Sequence, residues 1–94
     1  MYYLYILYSI SADKYYVGST GNIEQRLYQH NNSAVNKFTS KYRPWELMSF
    51  FEVGDSKRVA LQIEKHIKKQ KSRKYVEDIV TRGSIDALIK KFTD

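Results

Sequence analysis

Arg26 and His30 stand four residues apart in a stretch with helical character, so both side chains project from one helix face, a turn apart. A guanidinium carries a permanent charge in a fork that suits phosphate, and an imidazole can accept a proton near neutral pH. Upstream, residues 2–20 (YYLYILYSISADKYYVGST) hold six of the chain's nine tyrosines. A phenol there is either strand material or, if its surroundings lower a pKa that is normally about 10, a base. Downstream, Glu64 borders the apolar positions Ile63 and Ile67, which aims it toward a sheet edge, although it also stands four residues before Lys68 in a common surface pairing. The chain has no cysteine and only two histidines, His30 and His66, far apart. Thiolate nucleophiles, disulfides and thiolate zinc sites are therefore excluded, and an all-protein zinc site is not expected.

The elements that position these groups can be read along the chain. Residues 2–9 and 14–19 are rich in Tyr, Leu, Ile and Val and predict two strands, with Ser11-Ala12-Asp13 as turn chemistry between them. Asn22 suits the N-cap of a helix to about His30, with Ile23, Leu27 and Tyr28 as its apolar stripe. Residues 31–43 (NNSAVNKFTSKYR) have no period and predict a long loop closed by Pro44. Residues 45–53 (WELMSFFEV) predict a third strand. Asp55 or Ser56 would cap a helix with Val59, Ala60, Ile63 and Ile67 on its buried side. Ser72 would cap another over residues 73–82, stopped by Gly83, and Ser84 begins a last short one. The order β-β-α-β-α-α-α predicts an α+β domain: a small three-stranded antiparallel sheet flanked by helices.

Length and charge bound the function. Ninety-four residues make one domain, 43% hydrophobic and 28% charged, which is a globular composition. Sixteen Lys and Arg against ten Asp and Glu give a net charge of +6, suited to a polyanionic partner. No apolar run nears the roughly 20 residues that span a bilayer, and no signal-type segment opens the chain, so a cytoplasmic protein without a membrane partner is expected.

The order of short motifs resembles the GIY-YIG nuclease superfamily. Tyr3-Leu4-Tyr5 and Tyr16-Val17-Gly18 match its paired strand motifs, with Tyr3 in the place of the first glycine. Arg26-Leu27-Tyr28-Gln29-His30-Asn31 is similar to its R-(hydrophobic)-x-x-H-N helix, and Glu64 in ALQIEKHIKK to its helix with one acidic residue. KFTSKYRPWEL looks like the small stand-alone bacterial members. The match covers about residues 2–75 and leaves 76–94 as a C-terminal helical extension of a single nuclease domain.

The resemblance implies a metal-dependent endonuclease that hydrolyses DNA phosphodiester bonds, in repair or recombination of branched or damaged DNA, leaving a 5′-phosphate and a 3′-hydroxyl. Tyr5, Tyr16, Arg26 and His30 would be catalytic, with Tyr16 the general base or part of the relay that deprotonates water. Glu64 would hold one Mg²⁺ or Mn²⁺ ion, weakly without substrate, because a single carboxylate leaves most of the coordination to water and phosphate. Lys37, Lys41, Arg43, Lys65, Lys68 and Lys69 would meet nucleic acid, DNA or alternatively RNA, although the basic run Lys65, Lys68, Lys69, Lys71, Arg73 and Lys74 is otherwise a solvated helix end. The chain has no room for the separate DNA-binding domain of larger relatives, so a protein partner supplying specificity is expected. The competing readings are a non-catalytic nucleic-acid-binding module of the same fold and a helical domain that meets an acidic protein.

Overall fold

The computed structural model describes residues 1–33 and 37–93. Three strands form one antiparallel sheet: β1 (Tyr2–Ser9), β2 (Lys14–Thr20) and β3 (Glu46–Gly54), in the order β2-β1-β3. The helices are α1 (Ile23–Asn32), α2 (Lys37–Lys41), α3 (Lys57–Lys69), α4 (Arg73–Arg82) and α5 (Asp86–Thr93). This is the α+β fold expected, with one added element. Lys37–Lys41 is a short helix where a loop was expected, and Asn31 and Asn32 belong to α1. Five residues without an apolar period give no helical signal in sequence. Residues 34–36, the middle of that expected loop, lie outside the described residues.

β1 is the central strand, and its run Leu4-Tyr5-Ile6-Leu7 is wholly buried because both sheet faces are covered. Alternation divides that run between two cores. Leu4 and Ile6 pack with Val17 and with Val59, Ile63 and Ile67 of α3, Val76 and Ile79 of α4, and Ile85. Tyr5 and Leu7 turn the other way, toward Trp45, Tyr16 and Leu27. The caps hold as the sequence implies: Asn22, Ser56 and Ser72 each accept from a backbone N–H three residues on, and Gly83 ends α4 in the left-handed region at φ 70°.

Helix α1 is rotated relative to its expected stripe. Tyr28 is 65% exposed and His30 is 1% exposed. The covered face therefore runs through Ile23, Leu27 and His30, the i, i+4, i+7 spacing of a helix lying on a sheet. The solvated face that would ordinarily explain His30 is thereby ruled out.

Candidate active site

The hairpin register sets the two phenols side by side. Tyr5 pairs with Gly18 and Leu7 with Tyr16, so Tyr5 and Tyr16 share the sheet face that α1 covers. Their ring centres are 6.5 Å apart. Gly18 is required by this arrangement, since a Cβ on it would overlap the Oη and Cζ of Tyr5. The glycine of the second strand motif thus has a local physical cause: the Tyr5 ring lies across the backbone of the neighbouring strand.

His30 completes the cluster from α1. Its Nε2 is 2.8 Å from the Tyr5 hydroxyl, and its ring centre is 4.9 Å from that of Tyr16 and 6.0 Å from that of Tyr5. Asn31 holds that end of α1 by clamping the backbone of Trp45: its Nδ2 donates to the Trp45 carbonyl at 2.9 Å, and its Oδ1 accepts from the Trp45 N–H at 2.6 Å. Trp45 in turn donates from Nε1 to the Thr39 carbonyl at 2.8 Å. Phe38 lies along Tyr16 with ring centres 6.1 Å apart. Asn31 stands out in the sequence only as the last position of the helix motif and Phe38 not at all, because their partners come from distant segments.

Burial and charge fix the protonation of the buried pair. Burial, reinforced by Tyr16, pushes the Tyr5 hydroxyl well above the ordinary phenol range, and the lowering influence of Arg26 does not offset it. Burial pushes His30 down to about 4, helped by the positive charges of Arg26, Lys68 and Arg43. Tyr5 is therefore a protonated phenol and His30 a neutral imidazole near pH 7. Among the described residues the buried Nδ1 of His30 has no hydrogen-bond partner. The neutral ring shares one proton between its two nitrogens, so the Tyr5–His30 bond runs from the phenol or from Nε2 according to the tautomer.

Glu64 approaches the edge of the sheet from the opposite layer and is linked to the cluster through Lys68. Helix α3 packs on the other sheet face and passes the free edge of β2, where Glu64 Oε1 accepts from the Ser19 hydroxyl at 2.6 Å. Oε2 pairs with the Lys68 ammonium at 2.8 Å, and that ammonium lies 4.9 Å from the centre of the Tyr16 ring. Tyr16 and Lys68 also line a cleft of about 510 Å³ with Tyr15, Val17 and Ile67. As a metal ligand Glu64 is a hard oxygen donor already carrying a cation, the ammonium, as a stand-in. No group of three His, Asp or Glu that could hold a metal ion occurs among the described residues, and a single carboxylate would leave most of an ion's coordination to water and phosphate.

Of the residues singled out from sequence, Tyr5, Tyr16 and His30 converge directly, and the charges of Arg26 and Glu64 bear on Tyr5. Among the expected nucleic-acid contacts in the described residues, Lys68 lies against the Tyr16 ring and Arg43 bonds to the backbone of His30. Lys37, Lys41, Lys65 and Lys69 are exposed, with Lys65 lining a separate hollow beside Lys57, Arg58 and Leu61. Arg43 has another use. Its Nε donates to the His30 carbonyl at 2.8 Å and its Nη2 to the Ser33 carbonyl, so it caps the end of α1.

Two phenols and an imidazole on one sheet face, a guanidinium on the same helix as the imidazole and a carboxylate at the sheet edge define a small α+β domain whose groups can bind an anion and move a proton. A family model described as the GIY-YIG catalytic domain matches residues 1–76. The chain belongs to the GIY-YIG family, and that membership supports a nuclease. The structure-specific endonuclease subunit SLX1 of Debaryomyces hansenii is 41% identical over 69 residues, covering 67% of this chain and 20% of that protein. A UPF0213 protein of Clostridium perfringens is 39% identical over 69 residues, covering 73% and 72%. Another from Bacillus licheniformis is 35% identical over 80 residues, covering 82% and 80%. The chain spans about a fifth of the length of the SLX1 relatives it matches.

Proposed function

We propose that this protein is an endonuclease that hydrolyses DNA phosphodiester bonds, using one divalent ion, Mg²⁺ or Mn²⁺, held by Glu64. The observation that carries the proposal is the meeting of Tyr5, Tyr16 and His30 on one sheet face, with the Glu64–Lys68 pair at its edge. Bound there, the ion would supply charge stabilisation at the phosphate and the leaving oxygen. Arg26 supplies a fixed positive charge for a phosphate oxygen. Tyr16, acting as the phenolate or as part of a relay that passes its own proton on, takes a proton from the attacking water. Tyr5 is held protonated by burial and is a hydrogen-bonding support for the site, positioned by His30. Branched or damaged DNA is the proposed substrate, by analogy with the structure-specific SLX1 relatives, and a protein partner is proposed to supply specificity because SLX1 is a subunit.

Incubation with nicked, branched and linear DNA in Mg²⁺ or Mn²⁺ tests this reading. The wild type is expected to cut at least one substrate, and Tyr16→Phe, Arg26→Ala and Glu64→Gln each to lose about 10²-fold or more. A wild type that cuts nothing yet binds DNA with steep salt dependence would instead be a binding module.

A further inference from the structure

Both oxygens of Glu64 are engaged within the protein, but unequally. The Ser19 hydroxyl anchors Oε1 at 2.6 Å, and the carboxylate side chain is only 19% exposed. Lys68, on Oε2, is 44% exposed and carries its ammonium on a flexible four-carbon stem. The carboxylate is thus fixed and its cation is movable. An ammonium 2.8 Å from Oε2 occupies the place a divalent ion would take, and like charges that close repel strongly. The ammonium also lies 4.9 Å from the Tyr16 ring centre, beside the phenol assigned to the attacking water. A phosphate arriving there offers it a second anionic partner.

We propose that Lys68 is an internal cation that occupies Glu64 in place of a divalent ion until a phosphate draws the ammonium away, so that metal and nucleic acid bind cooperatively. The inference rests on Glu64 being the metal ligand of the proposed function. Lys68 acts through Glu64 and is a positioning residue. In the free protein it disfavours metal; with substrate bound it releases the carboxylate and moves to a phosphate oxygen. By linkage, metal tightens nucleic-acid binding by the same factor that nucleic acid tightens metal binding.

Titration with Mn²⁺, following the free ion by electron paramagnetic resonance, tests this without turnover. In the absence of DNA, Lys68→Met is expected to bind Mn²⁺ about three- to fivefold tighter than wild type, the change that follows from removing one partly exposed pair. Lys68→Arg keeps the cation and should match wild type. Lys90→Met, which makes the same charge change on α5, should also leave the affinity unaltered, and Glu64→Gln should weaken it in every background. Adding a phosphorothioate-linked oligonucleotide, which resists cleavage, should tighten Mn²⁺ binding in wild type more than in Lys68→Met. Equal Mn²⁺ affinities for wild type and Lys68→Met, with Glu64→Gln still weakening both, would overturn the inference and leave the metal site standing. If Glu64→Gln changes Mn²⁺ affinity in no background, with or without the oligonucleotide, Glu64 is not the ligand and both readings fall.

Discussion

At the residue scale the central fact is a neutral imidazole packed against a protonated phenol. His30 is buried with a pKa pushed down to about 4, below the ordinary value of 6.5. As pH falls through that window, the unfolded chain takes up a proton that the folded chain refuses, so stability is complete above about pH 6.5 and is lost toward pH 4. Between pH 7 and 5 this amounts to about 2 kcal/mol, one pKa unit being worth about 1.4 kcal/mol. Melting curves should show wild type losing several degrees over that range and His30→Gln losing clearly less; parallel curves would mean that His30 is not held neutral. Gly18 makes a second prediction. A methyl group there meets the Tyr5 ring, so Gly18→Ala should cost about 1–3 kcal/mol by overpacking and should lower cleavage by displacing Tyr5. Thermal unfolding and a nuclease assay on the same variant would check it, and wild-type values in both would refute it.

At the scale of elements, what the sequence revealed and what it concealed follow from the range of the interactions. Tyr5 and Tyr16 could be placed on paired strands because strand composition and turn chemistry are local, and the register then set them on one face without further help. Glu64 and Lys68 were legible as an i, i+4 pair for the same reason. The reach of Lys68 onto Tyr16 was not, because it depends on how α3 crosses the edge of β2. Helix α2 was invisible because five residues carry no period, and the rotation of α1 was obscured because Tyr28 is the more apolar residue and yet the one left in solvent. Asn31 belongs to this scale. It joins α1 to the start of β3 through two hydrogen bonds to one backbone unit, so Asn31→Ala should cost about 1–3 kcal/mol. Because those bonds hold the helix end that carries His30, cleavage should fall even at temperatures where the variant is fully folded. An effect on melting temperature alone would show that Asn31 supports the fold without positioning the site.

At the scale of the whole molecule, two properties are shared by every element: one sheet with a core on each side, and a net charge of +6. The family match ends at residue 76, yet Val76, Ile79 and Ile85 pack in the same core as Leu4, Ile6 and Ile63. Helices α4 and α5 therefore cover apolar surface that α3 and the sheet would otherwise expose. The charge predicts how nucleic acid is held. Each cation that neutralises a duplex phosphate contributes about −0.9 to the slope of log affinity against log salt. The basic side chains are not equivalent in this respect. Lys68 holds a partly exposed ammonium beside the cluster, whereas Arg43 spends its guanidinium on the carbonyls of His30 and Ser33. With DNA bound in the absence of metal, Lys68→Gln should make the slope shallower by about one and leave the melting temperature nearly unchanged. Arg43→Gln should do the reverse, lowering the melting temperature through the lost cap while leaving the slope of the folded protein close to wild type. Binding isotherms at four or five salt concentrations, paired with melts of the same variants, separate the two. A shallower slope for Arg43→Gln would place its guanidinium on the phosphates and show that the cap gives way when DNA binds.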